Sequence, residues 1–329
     1  MVRPFCWIVL VAGWIALFGY GCNPTSSQNA ELPGIGASPA SKSDQNSPSA
    51  ARAEVSGKSI WRGNSGGVEI DWTTADLFSR SGGNIEKIFQ PVAEKGHEEF
   101  LADLNGATPT KGQNHNCEYR RDFEVLSIAG SLVSFQDTEY SDCGGAHPTT
   151  ETRFTAVDLK REGSVPYQYG ETIDVDMNQP GKVVKLTDYF QESDILNALL
   201  ADPVIGEALK EAGVSTPPKT LAALPEVFAK NGYLIKGELS LRPDFLTRFA
   251  FHHLEGDMVA VRLNLPSIAF GYRSKQIGLL LPVPAVLKEP LASAASGEEG
   301  FLMGSAPQSI RKQLTRFAFK IGAGAGHDN

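Results

Sequence analysis

The sequence predicts an α+β fold, built from an antiparallel or mixed sheet and a small helical block. Runs of alternating apolar and polar residues, typical of half-buried strands, lie on both sides of one stretch with helical periodicity. Strands grouped in runs, rather than alternating one by one with helices, favour α+β over a parallel α/β sheet. The chain has 329 residues, of which 41% are hydrophobic, enough for one or two domains with ordinary cores.

The first predicted strands follow from period-two alternation. Val68, Ile70 and Trp72 alternate with polar neighbours, and the same pattern recurs further along the chain. One later run leads into Gly144 and Gly145, and a further strand follows them. A strand, a glycine-rich turn and a second strand predict a hairpin or meander. The strands predicted in this half are 68–72, 119–125, 132–140 and 153–159.

A helical block follows this set of strands. Ser193 is a suitable N-cap for a helix over residues 194–200, in which isoleucine and leucine form one apolar stripe. Pro203 opens a second helix and Gly213 ends it. A short third helix is predicted over residues 221–230. Strands return at 233–241, 258–265 and 276–282, and residues 310–321 are predicted to form a short amphipathic basic helix.

The N-terminal segment predicts export to the cell envelope. One charge, Arg3, precedes an uncharged apolar run over residues 5–18. The segment resembles a bacterial lipoprotein signal, in which a small residue, here Gly21, directly precedes the cysteine that receives the lipid. We therefore expect a signal peptide over residues 1–21 and lipid on Cys22, which would anchor the protein to a bacterial membrane. Ordinary cleavage and an uncleaved membrane anchor are the alternatives.

Low-complexity segments are expected on both sides of the folded region. Residues 22–58 are rich in small and polar residues and have too few aliphatic side chains to offset the backbone entropy of folding. We expect a disordered tether there, which would hold the folded part away from the membrane. The predicted module covers residues 59–291, with parts at about 59–165 and 166–291, and a low-complexity tail is predicted over 292–329.

Two cysteines remain once the signal is removed and Cys22 has its lipid. In an oxidising compartment such a pair, here Cys117 and Cys143, most often forms a disulfide. Two free thiols are one alternative. The other is a zinc site in which His115 and His147 join the two thiolates, although these spacings are not those of common zinc modules. The disulfide is favoured, and no metal site is predicted.

Several motifs resemble one protein family. They are residues 123–128, Tyr140, the G-G-A-H-P block that begins at Gly144, and residues 155–159 and 184–190. Together they look like the extracytoplasmic domain pair of the RsiV and PdaC type, over about residues 59–291. Cys117 and Cys143 are not part of that family pattern.

The resemblance implies an α+β fold that faces the cell envelope. In the anti-sigma member of the family the domain binds lysozyme, and in the deacetylase member it accompanies a separate catalytic domain. Neither a sigma-binding segment nor a deacetylase domain is recognisable in this sequence. We therefore expect the module itself to act by binding a protein or peptidoglycan ligand, with lysozyme as one candidate. Gly144, Gly145 and His147 are the candidate binding residues, because the glycines allow a turn that exposes the imidazole.

No catalytic or cofactor site is predicted. The G-N-S-G-G of residues 63–67 imitates a trypsin-like nucleophile motif, but the first histidine, His97, follows it, whereas such an enzyme has its base upstream. Phosphate-loop, dinucleotide and metalloprotease motifs do not occur. A net charge of −8 without a basic cluster disfavours nucleic acid as a partner. We expect a non-catalytic protein without cofactors. A cell-wall glycan hydrolase and a structural envelope lipoprotein are the alternatives.

Overall fold

The computed structural model describes residues 57–106, 117–144, 148–165, 182–230, 232, 234–235, 239–265 and 275–321. The chain divides into two units, 1–51 and 52–329, and every described residue belongs to the second. The described residues form antiparallel sheets with several short helices and one long one. The α+β class predicted from the sequence is confirmed.

A four-stranded meander comes first. Its strands are β1 (Ser59–Ser65), β2 (Val68–Thr73), β3 (Leu77–Ser81) and β4 (Asn84–Lys87), each paired with the next. The turn between β1 and β2 contains Gly66 at φ +57°, where a Cβ would lie 2.9 Å from the backbone of Gly130. Glycine is therefore required both for the turn and for this close approach.

The helix α1 (Phe89–Gly106) follows the meander. Its first turn is held by the buried carboxylate of Asp76, which accepts hydrogen bonds from the backbone N–H of Phe89 at 2.8 Å and of Gln90 at 3.3 Å. Burial raises the pKa of Asp76, and these hydrogen bonds oppose the shift. The carboxylate thus replaces the helical partners that the first N–H groups lack.

The large sheet has three long central strands: β5 (Cys117–Ala129), β6 (Leu132–Asp142) and β7 (Thr149–Asp158). They are the strands predicted over 119–125, 132–140 and 153–159, extended at their ends. The register of β5 with β6 shifts between Val125 and Ser127, which places a bulge at Leu126.

The helical block consists of α2 (Glu192–Ala201), α3 (Pro203–Glu211) and α4 (Ala223–Ala229), close to the predicted helices. Ser193 is not the N-cap of α2. The cap is Gln191, because its carbonyl already accepts the backbone N–H of Ile195 at 3.2 Å. The carboxylate of Asp202 caps α3 by accepting the N–H of Val204 at 2.9 Å.

The third sheet consists of β10 (Phe249–Glu255), β11 (Met258–Leu265) and β12 (Lys275–Pro282), in that order. The single strand predicted over 233–241 is instead a pair of short strands, β8 (Leu234–Ile235) and β9 (Leu239–Ser240), bonded to each other. The last elements are α5 (Lys288–Ser296), β13 (Gly300–Phe301) and β14 (Thr315–Ile321).

These last elements correct two predictions about the C-terminal region. The segment 292–321 is not a low-complexity tail, because α5 continues to Ser296 and both β13 and β14 pair with β5. The helix predicted over 310–321 is wrong as well, since residues 315–321 are a strand. The physical reason is an available edge on β5, where Thr315 pairs with Phe123 and Phe319 with Tyr119. Residues 322–329 lie outside the described residues.

The two faces of the large sheet have different neighbours. We call the face with Phe123, Val125 and Phe135 the front face, and it shares one core with α1 and the β1–β4 meander. On the back face, Ala129, Leu132 and Ala156 join a second core with the helical block and β10–β12. The cores cover the back face only in part, and this leaves room for a surface site.

Candidate functional site

The predicted disulfide is confirmed. Cys117 begins β5 and Cys143 directly follows β6, and their Cα atoms lie 4.2 Å apart. Glu118 pairs with Asp142 in the ladder, so the next position along places the two cysteines opposite one another. Cys117 is buried and Cys143 is exposed. With both sulfurs in the bond, neither thiolate is available to zinc.

The predicted binding residues lie in the connection from β6 to β7, next to this disulfide. Gly144 is exposed, has φ +72°, and donates its backbone N–H to Asp142 Oδ1 at 2.9 Å. The left-handed conformation explains why glycine follows the cysteine. Gly145 and His147 lie outside the described residues, and so does His115.

Polar side chains cover the back face of the large sheet beside the disulfide. Arg120 lies over the ring of Tyr140 at 4.6 Å from its centre, and Asp122 pairs with both Arg120 and Arg316. The hydroxyls of Thr138 and Thr152 lie 3.2 Å apart. Period-two alternation puts these side chains on one face. We call this surface the polar face, defined by Arg120, Asp122, Thr138, Tyr140, Thr152 and Arg316.

Hydrogen bonds and ion pairs hold the polar face in one arrangement. Arg316 donates from Nε to Asp122 Oδ1 at 2.6 Å and from Nη2 to Oδ2 at 3.0 Å, a two-pronged geometry. Loss of solvation and the carboxylates of Asp142 and Glu118 raise the pKa of Tyr140. The phenol therefore stays neutral at physiological pH and can both donate and accept hydrogen bonds.

The polar face ends where the third sheet begins to cover the same side. Further along the strands, Leu126 and Phe154 are buried against Ala250 of β10. Towards the disulfide, Glu118, Arg316 and Lys320 are exposed, and Tyr140 and Thr152 are half-buried. The site is thus an open, preformed surface rather than a deep pocket.

A cluster of charges occupies the front face of the same strands. Arg121 is buried and donates Nε to Asp137 Oδ1 at 3.0 Å, Nη2 to the other oxygen, and Nη1 to the Val92 carbonyl of α1 at 3.1 Å. Arg153, also buried, lies 3.0 Å from Glu139. The cavity beside them has a volume of about 20 Å³, room for about one water molecule.

These charges were missed by the sequence analysis. Burial raises the pKa of the Glu139 carboxyl, with Arg121 and Arg153 opposing the shift. Asp137 forms an ion pair with Arg121, and Glu139 forms one with Arg153. Together with the hydrogen bond from Arg121 to the Val92 carbonyl, these pairs connect β5, β6, β7 and α1. The sequence feature that could have indicated this buried cluster is Arg121, a charged residue at an inward position between Tyr119 and Phe123.

The serine of the G-N-S-G-G motif is structural. Ser65 is fully buried and its hydroxyl donates to the Glu299 carbonyl at 3.2 Å. Within the described part of the chain, no group of three or more His, Cys, Asp or Glu side chains is placed to hold a metal ion.

Comparisons with known proteins found no matching family model, no matching curated protein and no matching solved structure. None of the helices in the described ranges has both the length and the apolar character needed to cross a bilayer.

Proposed function

We propose that this protein is a non-catalytic, lipid-anchored binding protein of the bacterial cell envelope, with a protein or cell-wall ligand. The observation that supports it best is the polar face beside the Cys117–Cys143 disulfide. Disulfides persist in oxidising compartments, so this bond agrees with an exported chain. The polar face supplies a surface of fixed polar and aromatic groups next to the Gly144 turn.

The composition of the polar face suits recognition by surface contact. Tyrosine and arginine are enriched in protein interfaces, where they give large contact area with a polar end. Because Arg120, Asp122 and Arg316 are already held by one another, little side-chain entropy would be lost on binding. Lysozyme is the first protein ligand to test, on the basis of the resemblance to the RsiV and PdaC type.

Binding measurements test this proposal directly. Purified protein would be incubated with lysozyme and, separately, with peptidoglycan sacculi, and the bound fraction measured. Replacing Tyr140 by Ala or Arg120 by Ala should weaken binding about tenfold or more, as expected for interface anchors. The matched control is Arg80→Ala, which removes an arginine paired with Glu69 in the β1–β4 meander. Absence of binding to both ligands would overturn the proposal.

A glycan hydrolase is the second candidate, because burial raises the pKa of the Glu139 carboxyl and a second carboxylate, Asp137, lies near it on the same face of β6. Release of soluble sugar from sacculi without added lysozyme would favour it. Glu139→Gln should abolish that release if the carboxylate pair is catalytic and leave ligand binding unchanged if the polar face is the site.

Membrane attachment is tested separately through Cys22, which lies outside the described residues. The expected mature protein begins at Cys22 and has acyl chains, so its intact mass should exceed that of residues 22–329. Cys22→Ser should release the protein from membranes. A mature chain that begins at another residue and has no lipid would contradict the lipid anchor. The binding proposal would not be affected, because it is tested separately.

A further inference from the structure

Two adjacent histidines of β10 come together on the surface of the third sheet. In a regular strand the side chains of His252 and His253 would point to opposite faces. The register of β10 with β11 shifts at this point, since Phe251 pairs with Val261 and His253 with Ala260, and His252 is the extra residue of a bulge. The Nδ1 atoms of the two rings lie 2.7 Å apart. The bulge thus brings two metal-ligating side chains into contact.

The bulge is held by the segment that follows β13. The carbonyl of His252 accepts the N–H of Gly304 at 2.8 Å, and the carbonyl of Phe251 accepts that of Met303 at 3.0 Å. A Cβ on Gly304 would lie 3.0 Å from His252 Cε1, so glycine allows this segment to pass close to the imidazole. Arg311 holds the segment in turn, because its Nη2 donates to the Gly304 carbonyl at 3.2 Å. These contacts restrict the His252 ring before any ligand binds.

Both imidazoles can be reached by a dissolved ion, and the His252 ring has the protonation state that a metal requires. His253 is exposed and His252 is half-buried. Burial lowers the pKa of His252, and the positive charges of Arg262 and His253 lower it further. Because the ordinary histidine pKa is about 6.5, the His252 ring is neutral at about pH 7 and above. Neutral imidazole is the form that binds a metal ion.

The separation of the two nitrogens favours one coordination geometry. An imidazole nitrogen binds a divalent transition metal at about 2.0 Å. Two such nitrogens lie about 2.8 Å apart when they bind at a right angle and about 3.3 Å apart in a tetrahedral site. The observed 2.7 Å is close to the right-angle value. Square-planar or tetragonal nitrogen coordination is typical of Cu²⁺, which also binds such ligands most tightly among the first-row divalent metals.

We propose that His252 and His253 form a binding site for a Cu²⁺ ion, with Nδ1 of each ring as a ligand. The ion replaces the hydrogen bond between the two rings. The ring that donates this bond moves its proton to Nε2, and a small rotation of each ring directs both Nδ1 lone pairs at the metal. Water supplies the other ligands of this open site. The site uses no residue of the polar face, so the proposal is independent of the proposed function.

Copper titration of the full disulfide-bonded chain, followed by EPR, tests the site. The spectrum should show one tetragonal Cu²⁺ centre with magnetic coupling to two imidazole nitrogens. His253→Gln should reduce this coupling to one nitrogen and weaken copper binding about tenfold or more. Because His253 is exposed, the substitution should leave the fold intact. His252→Gln should have the same effect on the spectrum and on the affinity.

The matched control removes a histidine elsewhere in the molecule. His97 stacks on Phe319, and His97→Phe should change neither the EPR spectrum nor the copper affinity. Two results would refute the copper site. One is the absence of bound copper at micromolar concentrations of the ion. The other is an unchanged spectrum and affinity in His253→Gln, which would assign the ion to other ligands.

Discussion

Arg121 and Asp137 are opposite charges buried together on the front face of the large sheet. Arg121 satisfies both carboxylate oxygens and also reaches the Val92 carbonyl, so one side chain joins two strands to α1. A buried pair of this kind adds little net stability compared with apolar residues, but removal of one partner leaves a charge without compensation.

The first prediction concerns Asp137→Ala. The variant leaves the Arg121 guanidinium buried without its carboxylate and should lower the free energy of unfolding by about 3–5 kcal/mol. Denaturation in urea measures the loss. Glu69→Ala is the matched control, because it removes the half-exposed partner of Arg80 and should cost at most about 1 kcal/mol. Similar losses in both variants would show that the buried pair does not stabilise the fold.

At the scale of the residue, the sequence indicated on which face of the sheet a side chain lies, but not which residue it pairs with. Alternation around Arg121 placed it on the same face as Tyr119 and Phe123, which the structure bears out. Its carboxylate partner was not predictable, because the pairing of β5 with β6 depends on the bulge at Leu126. One residue of shift exchanges the neighbours of every side chain beyond it.

At the scale of the strand pair, the same bulge places Cys117 opposite Cys143. Near the hairpin turn Ala129 pairs with Leu132, whereas beyond the bulge Glu118 pairs with Asp142. Without the shift, Cys117 would lie opposite Gly144 instead of Cys143. The sequence predicted the bond from cysteine number and compartment, and the meander from alternation, but the alignment of the two sulfur atoms required the register.

The second prediction is that Cys117→Ser with Cys143→Ser destabilises the oxidised protein by about 3 kcal/mol, from the loop that the bond closes in the unfolded chain. At roughly 2–4 °C per kcal/mol for a domain of this size, the melting temperature should fall by about 6–12 °C. Thermal unfolding with and without reductant measures the difference. Wild-type protein under reductant should match the double variant, and alkylation of both thiols in untreated folded protein would contradict the bond.

At the scale of the whole molecule, the C-terminal strand joins parts that are distant in the sequence. Thr315 of β14 accepts the indole N–H of Trp72 at 3.1 Å and donates to the Thr73 carbonyl at 2.5 Å, which links the large sheet to the meander. The local sequence pattern favoured a helix here. That pattern contains no information about the edge of β5 with which this segment pairs, because β5 is almost 200 residues away in the chain.

The third prediction compares Thr315→Val with Thr315→Ser. Valine keeps the shape but leaves the buried Trp72 indole without its acceptor, which should cost about 2–3 kcal/mol. Serine keeps the hydroxyl and loses one methyl group, which should cost about 1 kcal/mol. Urea unfolding followed by tryptophan fluorescence measures both. An equal or larger loss in the serine variant would mean that packing, not the hydrogen bonds, joins the two sheets.

The stability of the whole molecule should also depend on pH through two half-buried histidines, His97 and His252. His97 of α1 stacks on Phe319 of β14 with ring centres 4.2 Å apart, and burial lowers its pKa, with Glu98 opposing the shift. Burial lowers the pKa of His252 as well. Because the ordinary histidine pKa is about 6.5, the unfolded chain takes up these protons before the folded chain does.

The last prediction is therefore a loss of stability as the pH falls from about 7.5 to about 5.5, across the ordinary histidine pKa. The carboxyls of Asp76 and Glu139 have raised pKa values, so their protonation favours the folded state as the pH falls. This effect opposes that of the histidines, but the ordinary pKa of a carboxyl is lower than that of a histidine. Urea unfolding at several pH values measures the slope. His97→Phe keeps a ring against Phe319 without a titrating group and should flatten the slope, whereas an unchanged slope would show that the proton uptake belongs to other groups.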